Sequence, residues 1–366
     1  LSLRAVVNAE ISKKRDGSTT EEQVKIMATT TADADGLSLS NDREGAVTLR
    51  DIRLAQRRIA PYVKRTPLVH SQSLSERFES NFYLKMELFQ KTGAFKVRGA
   101  FNKILEVMGT QKAGSPGVLA VSGGNHGQAV AYAARTLGLK ALLLMPEYTP
   151  KNYLEAARGY GAEIVMTRNM VDAFERVGGY ESQGWAFIHP YDDPLIVAGQ
   201  GTVGLEILED APQVTDVIVS IGGGGLASGL AIAVKSQNPR IRVWGVETEG
   251  ADVMARAWKA GRVVEAEKMT SLAKTLGAPS VCERTLTTTR QLLESVTVVS
   301  DREAFVALEY LLERTKIITE LAASCTLAAA ERLRQYFTKE SHVVLVMCGG
   351  NMSLDELVKC RQLLAE

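Results

Sequence analysis

The sequence predicts an α/β fold built around a mostly parallel sheet, and three observations predict it. Short apolar runs alternate with segments of helical spacing along most of the chain. Three of those runs end in glycine-rich turns. The first helical pattern opens on a capping signal at residue 48, after a long polar stretch.

In chain order, residues 1–46 are rich in Ser, Thr, Asp and Lys, with little apolar periodicity beyond a short helical pattern near Glu21 to Met27. They read as a disordered tail. A transit peptide fits poorly, because such peptides are poor in acids and this segment holds Asp16, Glu21, Glu22, Asp33 and Asp35. The first residue is leucine, so a native initiator is expected upstream. Thr48-Leu49-Arg50-Asp51 then reads as a capping box, and Ile52, Ala55 and Ile59 keep helical spacing until Pro61 stops the helix.

Strand and helix then alternate. Val118 to Val121 precedes a helical Gln128 to Leu137, Ala141 to Met145 precedes Tyr153 to Tyr160, and Ile164 to Met166 precedes Val171 to Gly178. The second half repeats the scheme with Val217 to Ile221 before Leu226 to Lys235, Val243 to Val246 before Val253 to Ala260, and Val343 to Met347 before Leu354 to Leu364. Each pair is one strand and its helix, as in βαβ units. No internal repeat or low-complexity linker marks a domain boundary.

With 366 residues, 45% hydrophobic and 23% charged, the chain suits one large or two medium domains. A formal net charge of +1 supplies no field to steer nucleic acid or an anionic membrane, which leaves a small molecule as the expected partner. No run of about 18 consecutive apolar residues occurs, so no membrane span is expected. Cys282, Cys325, Cys348 and Cys360 show neither CxxC spacing nor disulfide-scaffold density, which points to a reducing compartment, the cytoplasm.

The chemistry is expected at the strand ends. Val121 runs into Ser122-Gly123-Gly124-Asn125-His126-Gly127, Ile221 into Gly222-Gly223-Gly224-Gly225-Leu226, and Met347 into Cys348-Gly349-Gly350-Asn351. Such loops converge on one crevice in an open α/β sheet, and glycines let backbone N–H groups turn toward an anion at a helix start. The four-glycine loop is the best phosphate cradle. Upstream, Lys96 sits in Lys85-Met86-Glu87-Leu88-Phe89-Gln90-Lys91-Thr92-Gly93-Ala94-Phe95-Lys96-Val97-Arg98-Gly99-Ala100. A lysine amine is a strong nucleophile only when deprotonated, and its best-known catalytic use is a Schiff base with a carbonyl, such as the aldehyde of pyridoxal phosphate.

Blander readings stand beside these. Glycine-rich strand-to-helix turns are common packing devices, Cys348 alone reads as a small buried hydrophobe, and His126 alone as a structural hydrogen-bond donor. A nicotinamide-binding unit is the sharper competitor: Gly222, Gly224 and Ala227 fit G-x-G-x-x-A, and Glu247 ends the next strand, where a ribose-binding acid would sit. That reading leaves Lys96, the asparagine loop and the cysteine loop without a role. No zinc-ligand spacing and no G-x-S-x-G elbow occurs, which sets aside metal-hydrolase and serine-hydrolase chemistry.

From about Thr48 to the C-terminus the residues resemble the fold-type II pyridoxal-phosphate enzymes, and within them the serine/threonine dehydratase and serine racemase group. Lys85 to Ala100 is similar to the family's lysine segment, Ser122 to Gly127 to its asparagine loop and Gly222 to Leu226 to its phosphate loop. His189-Pro190-Tyr191-Asp192-Asp193 with Ala198-Gly199-Gln200-Gly201-Thr202 is similar to its mid-chain signature. The resemblance implies a tryptophan synthase β-like architecture of two open, twisted, mostly parallel sheets flanked by helices. It places a large cofactor-binding domain at residues 47–112 plus 192–366 and a small domain at 113–191. Pyridoxal 5′-phosphate is the implied cofactor, bonded by Lys96, which also moves the substrate's α-proton, with Phe95 against the pyridine ring. Asn125 would hydrogen-bond the 3′-oxygen, and Ser122, Gly123, Gly124, Asn125 and His126 would grip the substrate carboxylate. Gly222, Gly223, Gly224, Gly225 and Leu226 would hold the phosphate, and Cys348 would face the pyridine nitrogen. A thiol there cannot keep that nitrogen protonated, which suits prompt β-elimination. The implied activity is dehydration and deamination of a β-hydroxy amino acid, L-threonine or L-serine foremost, to a 2-oxo acid and ammonia, in a homodimer or homotetramer.

Departures from the family carry information. Ala94 stands where serine is frequent. Gly123 and Gly124 occupy the place where racemases put a serine on the face opposite the lysine, so inversion is disfavoured. Glu247 and Ala251 match the start of the racemase divalent-cation site, but residue 253 is valine, which makes a monovalent cation near Glu247 the milder expectation. Ser271 to Pro279 replaces an Ala-Asp-Gly-rich stretch of threonine dehydratases, which keeps another hydroxy-amino acid open as substrate. The chain ends soon after the Cys348 loop, so an isoleucine-sensing regulatory domain is not expected. The rivals are a serine racemase, a nicotinamide-dependent dehydrogenase, and a degenerate binding protein that keeps the cofactor without turnover.

Overall fold

The structure, a computed structural model, describes residues 46–110, 115–266 and 268–364. Residues 1–45, with the expected tail and its short helical pattern, lie outside the described residues. The first described helix, Leu49–Ile59, begins as its capping box predicts. Thr48 Oγ1 accepts the Asp51 N–H at 3.3 Å while the Thr48 N–H donates to Asp51 Oδ2 at 2.8 Å. Its apolar stripe of Ile52, Ala55 and Ile59 is buried, and Pro61 follows within two residues of its end.

Ten strands occur among the described residues: β1 (Leu68–His70), β2 (Asn81–Lys85), β3 (Val118–Val121), β4 (Ala141–Pro146), β5 (Glu163–Thr167), β6 (Ala186–Phe187), β7 (Asp216–Ser220), β8 (Arg242–Thr248), β9 (Ser295–Val299) and β10 (His342–Val346). They form a six-stranded sheet of order β1-β2-β10-β7-β8-β9 and a four-stranded sheet of order β5-β4-β3-β6. Only the β1–β2 pair is antiparallel. Parallel strands need helices on both faces, and the central strands show it: β3, β4, β7 and β10 are near-continuous runs of buried apolar residues. Helix Leu321–Arg332 packs against β7, β8, β9 and β10, and helix Asn125–Thr136 covers β3 and β4. The segment expected to be one helix over 171–178 is two, Met170–Glu175 and Val177–Glu181.

Part of the mid-chain signature is a packing device. Helices Pro194–Asp210 and Gly225–Gln237 touch backbone to backbone, and a methyl group on Gly201 would lie 2.8 Å from the Gly229 carbonyl oxygen. The lysine segment is anchored by a buried ion network. Arg98 donates to Glu87 at 2.7 Å and to Glu206 at 2.7 Å, and Lys85 reaches Glu206 at 2.6 Å and the Thr66 carbonyl at 2.7 Å. All four charged groups are nearly inaccessible. The network ties the end of β2 to helices Val97–Thr110 and Pro194–Asp210, two residues from Lys96. Among the described residues no helix is long and apolar enough to cross a membrane, and Cys282, Cys325, Cys348 and Cys360 are free thiols.

Candidate active site

The carboxyl ends of β3, β7 and β10 open on one cavity. Phe95, Lys96, residues 122–126, residues 222–226 and Cys348 all line it, so the structure brings together every residue expected to hold cofactor or substrate.

Lys96 enters the cavity from a stitched turn. Thr92 and Gly93 adopt left-handed backbone angles, the Gly350 N–H donates to the Gly93 carbonyl at 3.0 Å, and the Phe95 N–H donates to the Cys348 carbonyl at 3.1 Å. The lysine and cysteine loops are thereby one unit. Lys96 Nζ donates to the Pro190 carbonyl at 2.9 Å and lies 5.2 Å from the centre of the Phe95 ring. Burial pushes the Lys96 ammonium down to about 8, so a useful fraction is the nucleophilic amine near neutral pH.

The four-glycine loop follows β7 and opens helix Gly225–Gln237, whose start no side chain caps. Gly224 has φ +89°, and a methyl group there would press on Thr285 and Met254. A methyl group on Gly223 would fall into the Tyr191 ring. Backbone N–H groups at an uncapped helix start, with no side chain in the way, make an anion seat.

The asparagine loop leads into helix Asn125–Thr136, also without a side-chain cap. Asn125 Nδ2 donates to both oxygens of Glu320, at 2.9 and 3.0 Å, and Asn125 Oδ1 accepts from Asn351 Nδ2 at 2.8 Å. Glu320 also accepts the Thr275 hydroxyl at 2.7 Å and the Asn351 backbone N–H at 2.9 Å. Burial pushes the Glu320 carboxyl up, and those donors pull against it. Glu320 was not expected at the site, and Thr275 and Asn351 lie in segments that were expected there without a role given to either residue. The available signal for Glu320 was a lone acid directly before the alanine-rich apolar segment 321–330.

His126 donates from Nε2 to the Ile188 carbonyl at 2.8 Å, while Nδ1 is buried without a partner. Burial and the Lys96 charge push its pKa down to about 3, so the ring is neutral and a poor proton acceptor. Cys348 Sγ accepts from the Ser220 hydroxyl at 3.4 Å and donates to the Ala322 carbonyl at 3.6 Å. Burial pushes the thiol up to about 12, which keeps it neutral.

Glu247 and Ala251 stand apart from this cavity. The Glu247 carboxyl group is buried and accepts the N–H groups of Met254 at 3.0 Å and Ala255 at 2.7 Å, while Ala251 bridges Thr248. An acid engaged in this way is not offered to a ribose hydroxyl, so the nicotinamide reading loses its acidic residue. Among the described residues no group of three or more His, Cys, Asp or Glu side chains could hold a metal ion.

A family model for the pyridoxal-phosphate dependent enzymes matches residues 59–349. The chain belongs to this family. It is similar to the L-threonine ammonia-lyase of Thermotoga maritima, 39% identical over 311 residues that cover 84% of this chain and 77% of the relative. Among solved structures it is similar to maize serine racemase, with a TM-score of 0.81, 34% identity, and coverage of 87% of this chain and 97% of the other. It is also similar to threonine deaminase isoform 2 from Solanum lycopersicum, in its processed form, with a TM-score of 0.80, 29% identity, and coverage of 87% of each chain. The residues present fit the family's cofactor, an aldehyde that carries a phosphate. A pyridoxal-phosphate enzyme needs a lysine that can shed its proton and an anion seat, and Lys96 and the uncapped glycine loop supply both in one cavity.

Proposed function

We propose that this chain catalyses the pyridoxal-phosphate-dependent β-elimination of a β-hydroxy amino acid, L-threonine or L-serine, to a 2-oxo acid and ammonia. The observation that carries the reading is the convergence of Lys96, the asparagine loop, the four-glycine loop and Cys348 on one cavity. The named activities of the similar proteins support it, above all L-threonine ammonia-lyase at 39% identity.

In this reading Lys96 would bond the cofactor, Gly222 to Leu226 would hold its phosphate, Asn125 would serve its 3′-oxygen, Phe95 would pack on its ring and Cys348 would serve its ring nitrogen. Bound pyridoxal phosphate supplies an electron sink for the substrate's α-carbon. The backbone N–H groups of residues 122–126 hold the substrate carboxylate at the start of helix Asn125–Thr136. The Lys96 amine takes the α-carbon proton, and its lowered pKa lets it accept and return that proton near neutral pH. Cys348, neutral and weakly polar, leaves the ring nitrogen without a proton source, which favours rapid loss of the β-hydroxyl. Gly123 and Gly124 bring no hydroxyl of their own to the opposite face, and the chirality of the products separates elimination from inversion.

The same reading assigns residues 47–112 and 192–366 to a large domain and 113–191 to a small one. The four strands of the smaller sheet, all between Val118 and Phe187, support that division. It also takes the protein as a cytoplasmic homodimer or homotetramer, which sedimentation of the purified chain tests.

Incubation of the cofactor-loaded protein with L- and D-hydroxy-amino acids, scored for ammonia, 2-oxo acid and chirality, tests the activity. Release of 2-oxo acid from L-threonine or L-serine supports elimination. D-serine formed from L-serine without ammonia would establish the racemase in its place, and bound cofactor without any turnover would establish a binding protein.

A further inference from the structure

Gly123 lies against Thr149. A methyl group on Gly123 would collide with the Thr149 hydroxyl and would sit 3.4 Å from both Thr149 Cβ and Cγ2. The space that a side chain at position 123 would fill is therefore already taken by a hydroxyl delivered from another element. Thr149 follows β4, in a turn closed by its own N–H to the Pro146 carbonyl at 2.9 Å. It is only 7% exposed, it lines the same cavity as Lys96, and its hydroxyl has no hydrogen-bond partner. Threonine hydroxyls are rarely buried without a partner, because an unmade hydrogen bond costs about 1–3 kcal/mol. The neighbouring helix start, at Asn125, has no side-chain cap either. An orphaned donor beside an open helix start is a combination that a carboxylate completes.

We propose that Thr149 is a further substrate-binding residue, whose hydroxyl donates to the carboxylate of the amino-acid substrate held over Gly123 and Gly124. The inference rests on the proposed amino-acid chemistry of the site. It adds a side-chain donor to a seat otherwise made of backbone, and it accounts for glycine at 123. The Thr149 hydroxyl fixes the carboxylate from the β4 side, while the loop after β3 fixes it from the other. Selectivity follows: amino acids with a free carboxylate are held by both walls.

The test uses the full, cofactor-loaded chain with Thr149→Val, which keeps the shape and removes the hydroxyl, and Thr149→Ser, which keeps the hydroxyl. Cofactor content and its visible band report that each variant is folded, and Thr149→Ala replaces the valine variant if that one fails to load. Binding is read by titrating the cofactor band with L-alanine, which has the carboxylate and amine but no β-hydroxyl to lose. Half-saturation and kcat for L-threonine and L-serine are read in parallel. Loss of a hydrogen bond to a charged acceptor predicts at least about a tenfold weaker L-alanine titration and a similar rise in KM in Thr149→Val, with kcat within about threefold and recovery in Thr149→Ser. An L-alanine titration that is equal in wild type and Thr149→Val, or absent from both, overturns the proposal. If wild type releases no 2-oxo acid but its L-alanine titration weakens in Thr149→Val, the elimination reading fails and the Thr149 contact stands.

Discussion

The side-chain amide of Asn125 donates to both carboxylate oxygens of Glu320, at 2.9 and 3.0 Å, across 195 residues of chain. With Asn351 on its carbonyl oxygen, the amide is held from both sides and its orientation is set. Glu320 is thus a positioning residue for Asn125. Glu320→Gln keeps the volume and replaces one acceptor oxygen by a donor, so two N–H donors meet and the network rearranges. A shifted cofactor absorbance band and roughly a tenfold fall in kcat/KM, about 1.4 kcal/mol, are expected with the chain still folded. Absorbance and initial rates check this, and an unchanged band with unchanged rate would remove Glu320 from the site.

Lys96 is expected to be indispensable and its proton rate-controlling. Lys96→Ala should lose the visible band of the bound cofactor and all 2-oxo acid release. In the wild-type chain freed of cofactor, burial holds the amine at about 8, so recapture of pyridoxal phosphate should quicken about tenfold per pH unit below that value and level off above it. Stopped-flow absorbance from about pH 6 to 9.5 reads the profile; a rate that is flat with pH would contradict a titrating Lys96.

Glu247 sets a pH dependence of stability. Burial pushes its carboxyl up to about 8, against the pull of the Ala255 and Met254 N–H groups, from an ordinary value of 4.5. Between those values the folded chain keeps a proton that the unfolded chain has released, so stability falls as pH rises through the window. His126 and His189, pushed down by burial to about 3 and 4, act in the opposite sense, but their window closes at 6.5. From pH 6.5 to 8 the opposing histidine effect is absent; Glu320, also pushed up by burial, acts in the same sense as Glu247, and comparison with Glu247→Gln separates the two. Urea midpoints of wild type should fall over this range, by up to about 1.4 kcal/mol per pH unit, and Glu247→Gln should flatten the fall. Parallel profiles for the two chains would show that Glu247 is ionised in the fold.

Arg98 answers two buried carboxylates at once. Arg98→Met would leave Glu87 without its cation and Glu206 with Lys85 alone, and is expected to destabilise the chain by about 3–5 kcal/mol. Arg98→Lys should recover only part, because one ammonium cannot fork two carboxylates as a guanidinium does. Urea unfolding measures both. The displaced lysine segment should also weaken cofactor retention, since Arg98 is two residues from Lys96.

Much of the fold was legible in the residues. All six expected strands appear within two residues of their expected ends, because β3, β4, β5, β7, β8 and β10 are apolar runs bounded by turns. The unexpected strands are of another kind. β1 and β6 are three and two residues long and are not deeply buried, so no apolar run announces them. β9 is different: Val296, Thr297, Val298 and Val299 form a short β-branched run whose strand signal was present in the sequence. β2 ends at Lys85, the first residue of the lysine segment, which is fully buried because Glu206, 121 residues away, neutralises it and the Thr66 carbonyl accepts from it. Local pattern reads such a lysine as exposed.

The sequence by itself determined the α/β class, the capping box at Thr48, and the residue types that carry the chemistry: one lysine, three glycine-rich strand ends and a thiol. These depend on neighbours along the chain, on periodicity and backbone freedom, which are local physics. The tertiary structure decided which groups meet. It lowered the Lys96 pKa by burial, joined the lysine loop to Cys348, placed Glu320 on Asn125, and set the Thr149 hydroxyl where Gly123 has no side chain. Burial and through-space contact belong to the packed chain as a whole, and no spacing along the sequence encodes them.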